Sequence, residues 1–281
     1  MMAEPEDRYI VPALARGLQL LAQFKRNERE ISGAELSRRL ELPRASVFRM
    51  LQTLEQMGFV ERAGANYKLG IGILRLGFEY LASMELTEHG GPVIDALRDA
   101  SGFSAHLVVR DVRDVVFVAK APGRGAFLQS VQVGARLPAH ATVLGRLLLA
   151  NLSLEQLRAL YDGTELTRFT NQTPTTVAHL KALIDAAASA GYGISQGGFE
   201  AGISTIAAPV LNERHEVVAA VSITVPAQAV APEQASRLIA QVRDAAAGLT
   251  GRISHLEEPR QAPLKIHRLE KRRASPSKKS P

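Results

Sequence analysis

The chain has 281 residues, 46% of them hydrophobic, enough for one large or two modest domains with a sizeable core. Its formal net charge of +6 suits a polyanionic partner without establishing one. Cysteine is absent, which excludes disulfide frameworks and Cys-type zinc or redox centres; with no basic segment leading into an apolar run at the start and no run near ~20 apolar residues, neither signal peptide nor membrane span is expected, and a cytoplasmic location is.

Residues 1–8 are acidic and are expected to be mobile. From Val11, the pattern Leu14, Leu18, Leu21 with Ala15 and Ala22 predicts an amphipathic helix ending near Phe24 and packing under the segment that follows. That segment, Ile31 to Leu69, reads as helix, tight turn, helix and two short strands. Ser32 is suited to cap the first helix, with Glu35 at the spacing from which its carboxylate reaches back to the cap's amide. The turn is Glu41-Leu42-Pro43, and Pro43 fits the first position of the second helix, about Pro43 to Met57. Val47, Leu51 and Leu54, with Met50 beside them, make one side of this helix apolar. At roughly 100° per residue the opposite side shows Ala45, Arg49, Gln52 and Thr53, flanked by Arg44 and Ser46. Arginine reads guanine and glutamine reads adenine in the major groove, while hydroxyls and amides also bind phosphates. Gly58 ends the helix, and a hairpin turning at Ala63 to Asn66 carries Arg62, Asn66 and Lys68 near its tip. A polar outer face alone fits any small helical domain. The short interhelical turn followed by a basic hairpin is the layout of a winged helix-turn-helix, assigned to residues 9–70 with the helix-turn-helix about 32–51, and its expected partner is double-stranded operator DNA.

Residues 71–84 read as a linker helix with Leu74, Phe78 and Leu81 on one stripe, serving either dimerisation or a core. Gly90-Gly91-Pro92 is expected to interrupt the next segment, with helix from Val93 to Ala100. Strand-like runs follow at Ala105–Arg110 and Val115–Ala119, paired as a hairpin, with a third at Phe127–Val133. Gly134 to Pro138 leads into a loop, Ala139 to Thr142, and Thr142 is placed to cap a helix from Val143 to Ala150. Helices at Leu154–Tyr161 and Val177–Ala190, a short strand at Ile194, β-branched runs at Ile203–Leu211 and Val217–Val225, and a last helix at Glu233–Leu256 complete an α/β domain, 85–256. The Pro-, Ser-, Lys- and Arg-rich tail, 257–281, is expected to be disordered.

Two sets of motifs point one way. LPRASVFRMLQTLEQMGFVER followed by YKLG, and then GYGIS, GISTIAAPV and VVAAVSITVP, resemble the IclR family of bacterial transcription regulators over about Val11 to Leu256. The resemblance implies a two-domain α+β / α/β fold: an N-terminal winged helix-turn-helix, a linker helix and a C-terminal GAF-like effector-binding domain. It further implies dimers, often assembled as tetramers, that repress or activate catabolic operons in response to a small organic acid or aromatic metabolite, without a cofactor. In similar proteins the ligand lies between the sheet and a loop at the start of a helix. The matching positions are Ala141, Thr142 and Val143 in the loop, and Ser195, Ile203, Thr205, Ser222 and Thr224 on the sheet. Ser222 and Thr224 alternate along one strand, so their hydroxyls face the same side. Backbone amides near Ala141 and Thr142, at a helix N-terminus, favour an anion such as a carboxylate. The plainer reading is that these hydroxyls satisfy backbone groups in a buried sheet. Gly197-Gly198 stands where many members carry acidic residues, and Thr205 where some carry cysteine.

Two other classes compete. In an enzyme fused to a DNA-binding domain, Glu200 is the candidate general base; against this, the seven histidines are dispersed, form no metal-ligand pair at helical spacing, and no Gly-x-Ser-x-Gly elbow occurs. A ligand-free architectural DNA-binding protein fits the first domain but leaves the second unexplained.

Overall fold

The computed structural model describes residues 10–25, 27–82, 85–123, 131–197, 199, 202–226 and 232–253, in two compact units, Met1–Met84 and Glu85–Pro281. The acidic start, the basic tail, Glu200 and the 127–130 part of the expected third strand lie outside the described residues.

The first unit runs α1 (Pro12–Leu21), β1 (Ile31–Ser32), α2 (Gly33–Leu40), α3 (Arg44–Gln56), β2 (Val60–Ala63), β3 (Asn66–Leu69) and α4 (Gly72–Ala82). Ser32 caps α2 by accepting the Glu35 amide at 3.1 Å. The Glu35 carboxylate does not return to the cap as expected; it pairs instead with Arg38 and Arg39, each at 2.7 Å. The turn into α3 is fixed by Glu41 in the left-handed region (φ 52°) and by the Ser37 hydroxyl donating to the Leu42 carbonyl at 2.5 Å. Pro43 sits one residue earlier than expected, as N-cap. The wing closes through Gly64 (φ 61°) at the first central position of a two-residue turn, where a type II′ hairpin requires positive φ. A third strand, β1, absent from the sequence reading, pairs with β3 and completes the order β1-β3-β2. Leu20, Ile31, Leu36, Val47, Leu51, Val60 and Tyr67 form the core.

The expected stripe on α1 is rotated. Leu20 is fully buried, with Leu21 and Phe24 packed beside the core, whereas Leu14 and Leu18 are 63% and 59% exposed. On α4, Leu74 and Leu76 are likewise exposed, while Ile73 is half-buried.

The second unit begins with α5 (Glu85–Ser101), which runs unbroken through Pro92. The expected break fails because Gly90 is a packing position: a Cβ there would run into the Leu107 side chain, so the helix meets the sheet through its bare backbone. The tertiary contact outweighs the local cost of glycine and proline. The strands are β4 (Ser104–Asp111), β5 (Asp114–Ala121), β6 (Arg136–Pro138), β7 (Gly193–Gln196), β8 (Ile203–Leu211) and β9 (Val217–Pro226). They form one antiparallel sheet, β6-β5-β4-β9-β8-β7. Arg136–Pro138, expected to lead into a loop, is its edge strand, recruited by pairing with Asp114–Val116. Residues 131–133 are not a strand, and the expected loop at Ala139–Ala141 is a 3-10 turn. α5 and α9 (Pro232–Ile253) pack on one face; α6 (Val143–Leu148) lies on the other, backed by α7 (Leu154–Leu160) and α8 (Val177–Ala190).

Candidate functional site

Two places in the chain gather chemistry. The first is α3. Its start carries no side-chain cap; Pro43 adds no amide of its own there, and its carbonyl accepts from Ser46 and Val47. Val47 and Leu51 are buried and orient the helix, which leaves Arg44, Ala45, Phe48, Arg49 and Thr53 exposed. Among the described residues neither Arg44 nor Arg49 has an ion-pair or hydrogen-bond partner for its guanidinium. Four of the other expected residues are already engaged within the unit. Gln52 donates to Glu55 at 3.1 Å, and the Thr53 hydroxyl donates to the Arg49 carbonyl at 3.0 Å. Arg62 donates to the Tyr67 hydroxyl at 3.0 Å, lies over that ring and stands 3.9 Å from Glu55. Lys68 pairs with Glu61 at 3.2 Å. Ser46 and Asn66 are half-buried.

The expected face is also divided. Ser46, Arg49 and Thr53 border an apolar groove of about 560 Å³ with Leu14, Leu18, Met57 and Leu76. Arg44, Ala45 and Gln52 do not border it, and neither does Phe48, which the sequence reading passed over.

The second place is the sheet face beneath α6. Register places Ser195 opposite Thr205, Thr205 opposite Thr224, and Thr224 opposite Ser104, so four hydroxyl residues form one rung across β7, β8, β9 and β4. The next rung sets Ser222 opposite His106. Above these rungs is a cavity of about 270 Å³, lined on the sheet side by Ser195, Ile203, Thr205, Thr224, His106 and Phe117, and from α6 and its cap by Thr142, Val143 and Leu144. α6 is seated closely beside the cavity: a Cβ on Gly145 would collide with the backbone of Ala139, and one on Gly193 with the Val143 side chain. Thr142 caps α6, accepting the Gly145 amide at 3.0 Å.

Of the expected ligand-pocket residues, six thus meet at one cavity and two do not border it. Ala141 is buried in the 3-10 turn, and Ser222 is buried beside His106 with its hydroxyl unpartnered. Thr205 and Thr224 are half-buried and their hydroxyls have no partner among the described residues. No charged side chain stands among the described lining residues. His106 is 2% exposed, neither ring nitrogen has a partner, and it meets Phe117 edge-on at 5.4 Å. Burial, aided by the charge of Lys120, lowers its pKa from 6.5 to about 4, so the ring is neutral at pH 7. Sequence reading classed His106 with the dispersed histidines; its position inside a continuous apolar strand was the available signal. Among the described residues no three His, Asp or Glu side chains group as metal ligands, and no helix is long and apolar enough to cross a membrane.

The profile of the bacterial transcriptional regulator IclR C-terminal domain matches residues 78–250, and that of the IclR helix-turn-helix domain matches residues 13–64. The chain belongs to the IclR family. It is 30% identical to the HTH-type transcriptional regulator XynR of Escherichia coli K12 over 220 residues, 76% of this chain and 86% of that protein. Among solved structures it resembles a transcriptional regulator of Rhodococcus sp. RHA1, with TM-score 0.77 and 32% identity over 88% of this chain and 100% of that one. An IclR homologue from Microbacterium hydrocarbonoxydans, solved in complex with 4-hydroxybenzoate, gives TM-score 0.75 and 25% identity over 87% and 100%. As an IclR-family member the protein is a DNA-binding transcription regulator with an N-terminal helix-turn-helix domain and a C-terminal α/β domain. In IclR terms, α3 is the second helix of the helix-turn-helix, and the 270 Å³ cavity lies wholly within the C-terminal domain.

Proposed function

We propose that this regulator controls a catabolic operon and senses a small organic acid, aromatic or hydroxylated, in the cavity between α6 and the sheet. The observation that carries this reading is the hydroxyl rung. Thr205 and Thr224 place two half-buried hydroxyls side by side in a chamber with largely apolar walls, and with no partner among the described residues each is open to a hydrogen bond from a bound molecule. The apolar walls suit a flat ring or a short chain. With no cation among the described lining residues, a carboxylate there is held by hydroxyls and amides. The 4-hydroxybenzoate bound by the Microbacterium homologue supports an aromatic acid as the first probe. Thr142, Val143, Ser195, Ile203, Thr205 and Thr224 line the bound molecule in this reading, with His106 added; Ala141 and Ser222 act from behind them. The protein binds the molecule and returns it unchanged, as a sensor rather than a catalyst.

On the DNA side, Arg44, Ala45, Ser46, Arg49, Gln52 and Thr53 of α3 face the major groove, and Arg62, Asn66 and Lys68 of the wing approach phosphates, exchanging Glu55 and Glu61 for the duplex. The exposed apolar groove along α1, α3 and α4 supports a homodimer in which a second copy covers Leu14, Leu18 and Leu76. A ligand alters DNA affinity only by preferring one arrangement of the two copies. The test is a thermal-shift screen of small aromatic and aliphatic carboxylic acids, followed by promoter-DNA binding with and without each hit and by recovery of the hit. A raised melting temperature, an altered DNA affinity and an unchanged compound are expected. A compound converted on incubation would instead make the second domain an enzyme.

A further inference from the structure

Phe48 is the outlier on α3. It is 53% exposed, although burying a phenylalanine side chain stabilises a fold by roughly 1.5–3 kcal/mol. Its neighbours at i−4, i−3 and i+4 are Arg44, Ala45 and Gln52. It therefore stands at the edge of the polar face, between these residues and the buried Leu51 at i+3, and not in the apolar groove, which runs past Ser46, Met50, Thr53 and Met57 on another side of the same helix. The described aromatic contacts do not include it. An apolar ring flanked by an unpaired arginine, a small alanine and an amide matches one feature of a DNA major groove. The C5-methyl of thymine is the apolar group on a base edge there, and phenylalanine is among the side chains that contact it.

We propose that Phe48 is a specificity-determining residue that reads a thymine methyl group in each half-site. Ala45 keeps the helix close enough for the ring to reach the groove floor, and Arg44 draws the adjacent backbone phosphate to the same end of the helix. The inference rests on α3 being the base-reading helix, and the experiment separates the two.

Full-length protein is used to select duplexes from a random-sequence library, and each thymine of the selected site is then replaced by uracil, which removes only the methyl group. Wild type should discriminate thymine from uracil about fourfold at one or two positions per half-site, the worth of a single buried methyl. Phe48→Ala should bind the thymine and uracil duplexes equally at those positions, with an unchanged melting temperature because the ring is exposed. Phe48→Leu, which retains an apolar tip, should keep part of the discrimination. Indifference of wild type to uracil at every position, or equal sensitivity of Phe48→Ala at the same positions, would overturn the assignment. If wild type selects no sequence at all, the reading of α3 fails first.

Discussion

Thr205 of β8 and Thr224 of β9 are register partners whose side chains share one cavity, with Ser195 next along the same rung. The Thr205 and Thr224 hydroxyls find no partner among the described residues, so a bound molecule is their natural acceptor or donor. Thr205→Val or Thr224→Val keeps the shape and deletes one hydroxyl. Each should weaken the aromatic-acid hit by about twofold to tenfold, from a net hydrogen-bond worth of roughly 0.5–1.5 kcal/mol. Ligand-free DNA affinity should be unchanged, as read by calorimetric ligand titration beside a DNA-binding assay. An unaltered titration in both variants would move the ligand elsewhere.

His106 makes the fold acid-sensitive. Its folded-state pKa, about 4, lies below the ordinary 6.5 because the ring is buried. Between these values the unfolded chain binds a proton that the folded chain refuses. Stability is therefore full above about pH 6.5 and declines as pH falls toward 4, by up to about 3 kcal/mol from this group. Urea unfolding at pH 7, 6 and 5 should show wild type losing stability more steeply than His106→Leu. Parallel pH profiles for the two would deny His106 that role.

Asn151 ties α6's exit to β9. Its amide donates to the Val217 carbonyl at 3.0 Å and accepts the Val217 amide at 2.9 Å. Asn151→Ala leaves both backbone groups of a buried residue unpaired, at a cost of about 2 kcal/mol or more. Chemical denaturation should show a lower midpoint with an unchanged slope.

Gly145 and Gly193 are both short of space, but against different neighbours. A Cβ on Gly145 meets the Ala139 backbone; one on Gly193 meets only the Val143 side chain. Overpacking typically costs about 1–3 kcal/mol, and backbone collisions exceed that range. Gly193→Ala should be rescued substantially by Val143→Ala in a double-mutant cycle, while Gly145→Ala should not be rescued by any side-chain truncation in α6.

Arg49→Ala should lower affinity for a selected duplex by about 1–3 kcal/mol if the guanidinium contacts a base, with no change in thermal stability. Lys68→Ala should weaken binding evenly across sequences and reduce the salt slope by about one phosphate's worth, ~0.9. Wild-type affinity in Arg49→Ala would confine that side chain to the apolar groove it also borders.

The residues themselves determined whatever depends on near neighbours. The Ser32 cap, the buried Val47–Leu51 pair, Thr142 ahead of α6, the limits of α8 and the β8–β9 pair with its alternating hydroxyls all follow from spacing along the chain. Periodicity fixes which side chains share a face, and a short side chain such as Thr142 bonds only amides within reach. What periodicity does not say is which face gains a partner. Leu14 and Leu18 form as regular a stripe as any in the chain, yet the core took Leu20 and left them outside. Gly90-Gly91-Pro92 reads as a break, yet α5 stays whole because Leu107, many residues on, needs the space a glycine leaves. Arg136–Pro138 became a strand only because β5 offered an open edge. His106 joined the cavity because cross-strand register set it beside the hydroxyl rung. Burial and register are settled by atoms distant in sequence, so tertiary packing alone decided which of several plausible faces became core, cavity or exposed surface.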